Sequence, residues 1–242
     1  IVGAQMETYL LEKSRVVFHS PGERSYHIFY LLCAGHAAGN QRTESLGLAG
    51  ADDFLYTGRG RSTTIAGVDD AADFTELLSA FSTLGFSPDE QQQILNAWSG
   101  VLNLGNIDII THESDGTGAH TEDSGIVDDD MHLKIAAKLL GLDCSQLKFS
   151  IVERVIRMQR ETVRKPQTSE EANASREAIS KHVYSRVFDH VVRRINQTLN
   201  APSGSTREAF IGILDIYGFE TFEINSFEQF CINYANEALQ LQ

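Results

Sequence analysis

Ile179, Val183, Val187, Val191, Ile195 and Leu199 recur every four residues, with Phe188 and Val192 widening the stripe. Apolar side chains at that spacing share one face of a helix. The spacing therefore predicts a single long helix from about Ser169 to Leu199, ended by the Pro-Ser-Gly step at 202–204. A chain with such a spine must wrap other elements around it, and most of them read as helices too. Ser87, Pro88 and Glu90 form a helix start: an N-cap, a proline at the first helical position and a partner that closes the capping box. Ile94, Leu95, Trp98, Val101 and Leu102 follow at helical spacing, as far as about Gly105. Tyr26 to Cys33 reads as a buried helix, preceded by a turn at Ser20-Pro21-Gly22. Another helix runs from Asp129 to Leu140, with Gly141 as its stop. A last one starts near Asn225, with Glu228 as box partner and a face of Phe227, Phe230, Cys231, Tyr234 and Ala238.

Strand signals are fewer. Ser150 to Met158 alternates like a strand, and Arg160 to Thr168 reads as the turn and return arm of a hairpin or an ordered loop. Ala209 to Leu214 is a short apolar run with β-branched residues, the pattern of a buried strand. Residues 36–66 and 111–130 read as irregular surface, and no internal repeat is present. The fold class is α/β, dominated by helices.

Composition removes several function classes. Of the 242 residues 42% are hydrophobic and 22% charged, the balance of a globular chain with one large core or two small ones. Asp and Glu number 33 against 20 Lys and Arg, a net charge of −13. That sign ranks nucleic-acid binding low. Cys33, Cys144 and Cys231 are few and far apart, which fits a reducing compartment. No apolar run approaches the length of a membrane span, and no signal-peptide pattern is present. The first residue is not Met and the last residues are still in a helical pattern, so a fragment of a longer protein is expected. The histidines lack metal-ligand spacing, and no GxSxG, GxGxxG or paired CxxC occurs. Asn173-Ala-Ser175 and Asn196-Gln-Thr198 match the glycosylation pattern but fall in or beside a helix, and read as chance.

One step carries chemistry. Asp215 stands at the carboxyl end of the expected strand Ala209–Leu214, with Gly218 just beyond it. Ligands of nucleotide-binding α/β folds lie outside the carboxyl ends of strands. An Asp there can hold Mg²⁺ or its waters, and a Gly lets its backbone N–H approach a phosphate closely. Taken alone, Asp-x-x-Gly is a weak signal that an ordinary turn satisfies equally well.

Its surroundings are more specific. Phe210-Ile-Gly-Ile-Leu-Asp-Ile-Tyr-Gly-Phe-Glu-Thr-Phe-Glu-Ile-Asn-Ser-Phe-Glu-Gln-Phe-Cys-Ile-Asn-Tyr-Ala-Asn-Glu resembles, almost position for position, the switch II and relay-helix segment of myosin motor domains. Tyr9-Leu-Leu-Glu-Lys-Ser-Arg-Val-Val, with Gly3-Ala4 before it, resembles the family's transducer strand after switch I. Glu23-Arg-Ser-Tyr-His-Ile-Phe-Tyr resembles its ERNYHIFY helix. Leu84-Gly-Phe-Ser and Val101-Leu-Asn-Leu-Gly-Asn-Ile resemble its next landmarks, in the family's order. The resemblance implies a helix-dominated piece of a P-loop NTPase-type motor head. Residues 1–209 would be its upper 50-kDa subdomain with a few strands of the central sheet, 210–224 a sheet strand and switch II, and 225–242 the start of the relay helix.

The resemblance also implies an ATPase that drives movement along actin filaments. Asp215 would hold Mg²⁺ through water, the Gly218 N–H would contact the γ-phosphate of ATP, and Glu220 would pair with an arginine of switch I. Neither GxxxxGK[ST] nor NxxSSRFG occurs in this sequence, so these 242 residues alone are expected to be inactive. The segment Arg154–Lys165 would be the actin-contacting cardiomyopathy loop. Its Arg154, Arg157, Arg160, Arg164 and Lys165 oppose only Glu161, a local charge of about +4. Glu161 lies sixteen residues before Glu177-Ala-Ile-Ser-Lys181, the family's DALAK position. An acidic side chain there implies that actin engagement needs no phosphorylation. Residues 111–130 would be loop 4, and their acidic Glu113, Asp115, Glu122, Asp123, Asp128, Asp129 and Asp130 would repel an acidic filament. Light chains or calmodulin on a neck, a cytoplasmic and cytoskeletal location, no nucleic acid and no membrane span complete the expectation. The alternative is a myosin-like pseudoenzyme acting as an actin-binding scaffold.

Overall fold

The computed structural model describes residues 2–112, 123–127, 129–157, 162–200, 209–221 and 225–241. The chain divides into two compact units, one over Gln5–Leu199 and one made of Ile1–Ala4 with Asn200–Gln242. Helices dominate the larger. The strands among the described residues form two antiparallel two-stranded hairpins.

The larger unit is built on helices whose ends are set by local chemistry. Helix α1 (His27–Ala37) follows the Ser20-Pro21-Gly22 turn. Leu55–Gly58 forms the short α2, and α3 covers Asp70–Thr83. The Asp69 carboxylate accepts from the Ala71 and Ala72 N–H groups and starts α3. No element was expected there. Helix α4 (Pro88–Gly105) opens with the expected capping box: the Ser87 N–H donates to Glu90 and the Glu90 N–H donates to Ser87 Oγ. Strands β1 (Ile109–His112) and β2 (Asp123–Ile126) pair antiparallel, so the polar region 111–130 begins and ends in a ladder rather than being wholly irregular. Asp130 caps α5 (Met131–Leu140), and Gly141 ends it at φ 66°, a conformation glycine adopts without strain.

One expectation fails next. Residues 150–152 end a helix, α6 (Cys144–Val152), and the strand β3 is only Glu153–Arg157. The Asp143 carboxylate accepts from the Gln146 N–H and nucleates that helix, which outweighs the β-branched Ile151 and Val152. The return arm β4 (Thr162–Pro166) pairs with β3 as expected. Helix α7 spans Ser169–Leu199, as the periodicity requires. Its fully buried face is partly polar, however. The Arg176 guanidinium donates to the Ile107 carbonyl at 2.8 Å, and Ser180 Oγ lies 3.1 Å from the Tyr56 hydroxyl. Val183, Val187, Val191 and Ile195 are half-buried against the core.

The core has two clusters. Phe29, Leu32, Phe74, Leu95, Val101 and Leu102 centre the first, between α1, α3, α4 and α7. Leu133, Ala136, Leu147, Ile151 and Ala172 centre the second, around α5 and α6. Close approach demands small residues at two crossings. A Cβ on Gly35 would strike the Phe74 ring, and one on Gly100 would lie 2.9 Å from Leu140.

In the smaller unit, residues 209–221 have no regular structure. The expected strand Ala209–Leu214 does not form, because a strand needs a hydrogen-bonded neighbour and none is present among the described residues. Nor do residues 2–12 form the expected transducer strand. Helix α8 covers Phe227–Gln240, with Ser226 rather than Asn225 as its cap and Gln229 as its box partner. The apolar face read from the sequence is exposed at Phe227, Phe230 and Tyr234, and the buried positions are Gln229 and Ile232.

Candidate functional site

Asp215, Gly218 and Glu220 lie within one short stretch of the loop 209–221. Asp215 is exposed. Gly218 is open: a Cβ there would meet nothing within 4 Å, so the main chain is accessible to a ligand. Glu220 is half-buried, and its Oε2 is buried without a hydrogen-bond partner. A buried carboxylate oxygen left unpaired is costly. It is chemically suited to accept from a cation or donor brought to it.

The loop is held to α8 through its backbone. The Glu220 N–H donates to Asn233 Oδ1 at 2.8 Å, and Asn233 Nδ2 donates back to the Glu220 carbonyl at 2.7 Å. Three residues further along the helix, Asn236 Nδ2 donates to the Tyr217 carbonyl at 2.7 Å and to its own helix at Ile232 at 3.0 Å. Sequence reading missed both asparagines. Two Asn at an i, i+3 spacing on a helix that follows a functional loop is the signal that could have found them, since that spacing puts both on one face.

No group of three or more His, Cys, Asp or Glu side chains that could hold a metal is gathered among the described residues. A divalent ion at Asp215 would therefore share its coordination sphere with phosphate oxygens and waters. Mg²⁺ favours that arrangement, since it keeps several waters and takes one or two carboxylates. The residues present fit such a shared site and do not fit a self-contained protein cage.

The second set of expected residues is on the β3–β4 hairpin. Its register pairs Glu153 with Pro166, Arg154 with Lys165, Val155 with Arg164, Ile156 with Val163 and Arg157 with Thr162. Arg164 reaches Glu153 at 3.6 Å, and its guanidinium carbon lies 5.4 Å from the Phe149 ring centroid. Arg160 and Glu161 lie outside the described residues, as do Glu113, Asp115, Glu122 and Asp128. The remaining carboxylates of 111–130 are partly committed to structure. Asp130 accepts from the Leu133 and Asp108 N–H groups, and Asp129 pairs with Lys134 at 2.7 Å. At the head of α7, Glu177 lies 3.6 Å from Arg59. Among the described residues no helix is long and apolar enough to cross a membrane.

The family profile "Myosin head (motor domain)" matches residues 1–242. Human unconventional myosin-Vc is 48% identical over all 242 residues, which span 13% of its length. Human unconventional myosin-Vb is 45% identical over the same span, again 13% of its length. Myosin-2 of Saccharomyces uvarum is 41% identical over 241 residues, 99% of this chain and 15% of that protein. The chain thus spans a small part of the relatives it matches. Similarity of this extent across every described element makes the chain a member of the myosin head (motor domain) family.

Proposed function

We propose that this chain forms the part of an actin-based, ATP-driven cytoskeletal motor that runs from the end of switch I to the start of the relay helix. Residues 1–209 are then the upper 50-kDa subdomain, 210–224 the switch II region and α8 the beginning of the relay helix. The whole protein would act in the cytoplasm on actin filaments, with light chains or calmodulin bound to its neck.

The observation that carries this reading is the state of Glu220. Its main chain is clamped by Asn233, while its Oε2 is buried and unpaired. A held carboxylate with a vacant acceptor is what an arginine of switch I would close upon. Gly218 is open enough for its N–H to meet a γ-phosphate oxygen, and Asp215 would hold the cation through its waters. Mg²⁺ supplies charge neutralisation for phosphoryl transfer. Glu220 holds the closed loop in place, and Gly218 reports phosphate occupancy to α8 through the Tyr217 and Glu220 backbone bonds. Phosphoryl transfer depends on positioning and charge stabilisation by several elements together. The 242 residues alone lack the GxxxxGK[ST] and NxxSSRFG patterns and should not hydrolyse ATP. Micromolar binding of a fluorescent nucleotide by the isolated chain would contradict that.

The deciding experiment is Glu220→Ala in the full-length protein, with steady-state ATPase and nucleotide binding read in parallel. Turnover should fall by about 10²–10³ while nucleotide still binds. Full turnover in the variant would sink the assignment. If the unmodified protein binds actin with no turnover at all, the scaffold alternative replaces the motor reading.

A further inference from the structure

We propose that Thr64 is a phosphorylation site for an arginine-directed serine/threonine kinase, and that its phosphate detaches the loop 61–68 from Asp52.

The sequence supplies the recognition pattern. Kinases of this class have an acidic substrate groove that selects Arg three and five residues before the hydroxyl, with an apolar residue just after it. Relative to Thr64 those positions are Arg61, Arg59 and Ile65. Arg59-Gly60-Arg61 is the only Arg-x-Arg step in the sequence, and residues 59–68 contain no Asp or Glu. The segment is thus locally cationic in a chain of net charge −13.

The fold presents the pattern as a substrate groove needs it. Residues 62–65 have no regular structure. Thr64 is exposed and makes no hydrogen bond among the described residues. Its neighbours Ser62 and Thr63 are half-buried, and Thr63 Oγ1 donates to Asp52 Oδ2 at 3.4 Å. Ile65 is 38% exposed. Arg61 is exposed, has no ion pair among the described residues and holds a left-handed φ of 52°. That conformation is strained for a residue with a Cβ. Refitting the segment into a groove therefore relieves strain and breaks little packing. Arg59 Nη1 donates to the Val17 carbonyl at 2.9 Å and lies 3.6 Å from Glu177. Its side chain is 34% exposed, and an ion pair of that kind is weak, so a carboxylate of the kinase can compete for it.

Other exposed hydroxyls fail a requirement. Ser45 has Arg42 three residues before it, but Asn40 stands at five and Arg42 Nη1 donates to the Pro88 carbonyl. Thr168 has Lys165 three residues before it, but its Oγ1 accepts from the Glu171 N–H at the head of α7.

In the transfer, Thr64 Oγ1 attacks the γ-phosphorus of ATP held by the kinase. The bond from that phosphorus to the ADP oxygen breaks, and the hydroxyl proton passes to the kinase's catalytic carboxylate. The product adds a charge of about −1.5 to −2 one residue from the Thr63–Asp52 contact. Repulsion of Asp52 opposes that contact, and Arg61 is the uncommitted cation that can take the phosphate.

The test incubates the folded full-length protein with the catalytic domain of protein kinase B and radiolabelled ATP. Phosphopeptides are mapped by mass spectrometry, hydrogen exchange is read before and after, and folding of each variant is checked by circular dichroism. Phosphate should appear on Thr64, and Thr64→Val should remove it. Arg61→Ala should cut incorporation about tenfold or more, and Arg61→Lys should recover part of it. Ser62→Ala and Thr63→Val should stay within about twofold. Amides of residues 62–68 should exchange several-fold faster once Thr64 is phosphorylated, while those of α4 do not change. No phosphate on Thr64, or incorporation that is unaffected by Arg61→Ala, overturns the site. Equal incorporation at Ser45 or Thr168 shows that exposure alone decides and overturns it too. Phosphate on Thr64 with unchanged exchange overturns the detachment from Asp52.

Discussion

The unit Gln5–Leu199 and the loop-plus-helix of residues 209–241 are held together by different means. The first encloses Phe29, Leu32, Phe74, Leu95 and Leu102 with no accessible surface at all, and its α3, α4, α5 and α6 begin on side-chain caps. In the second, Phe210, Ile211 and Ile213 are 92–95% exposed, and the order of residues 217–220 rests on hydrogen bonds from two asparagines. Burial makes the first unit its own scaffold. The second is built like a moving part, with little burial to resist displacement and short-range bonds that keep loop and helix together.

The contrast can be broken most directly by truncation. Phe29→Ala should destabilise the chain by about 3–5 kcal/mol, read as a lower urea midpoint, whereas Ile213→Ala should leave the midpoint where it is. Equal losses at the two sites would erase the distinction. The next effect in size concerns glycine. Gly35→Ala forces a methyl into the Phe74 ring and should cost about 1–3 kcal/mol. Gly218→Ala meets nothing within 4 Å and should leave unfolding unchanged while blocking ATP turnover in the full-length protein. Asn233→Ala removes both bonds to Glu220. The net value of such a bond is about 1 kcal/mol, so the Glu220 amide should exchange with deuterium several-fold faster while core amides of α4 do not change.

The smallest effect is a pH dependence at a buried histidine of the larger unit. His19 is 4% exposed and neither ring nitrogen has a partner. Burial, then the nearby Arg15 and Arg59, lower its pKa from the ordinary 6.5, and Glu23 only partly offsets them. With the folded value below the unfolded one, the unfolded chain takes up a proton first. Stability should be unaffected by this group above about pH 6.5 and should fall as pH drops from there through the depressed folded value. His19→Gln should flatten that part of the profile. A profile identical to the parent's would remove His19 as its source. Cys33 is a thiol pushed up to about 12 by burial, then by Asp53 and Asp70, and stays protonated throughout this range.

What could be read from the sequence was what depends on near neighbours. The Ser87–Glu90 box, the Gly141 stop, the extent of α7 and the β4 return arm follow from residues within a few positions of one another. Helix α3 had an equally local signal in Asp69 and was overlooked. Helix α6 was lost because Ile151 and Val152 suggested a strand, although Asp143 had already committed the backbone to a helix. The strand Ala209–Leu214 failed for a different reason: a ladder is a property of two segments, and apolar residues show only that one side is willing. The aromatic face of α8 makes the same point, since helical spacing identifies an apolar side without showing that anything covers it. Asp215, Gly218 and Glu220 were legible as a group because they are close in sequence. The asparagines that hold them were not, because their partners are backbone atoms 13 and 19 residues away.

The two asparagines set the mechanics of that region. A single fastening would let the loop swivel about the helix. Asn233 and Asn236 sit about 4.5 Å apart along the axis and grip the loop at Glu220 and Tyr217. Two separated fastenings resist twisting as well as pulling, so the joint behaves as a weld and not as a pivot. Each grip on the loop is to main chain, which leaves Gly218 bare and the Glu220 carboxylate uncommitted. The surface that would meet a ligand and the joint that would pass on its arrival therefore occupy the same four residues without competing for the same atoms.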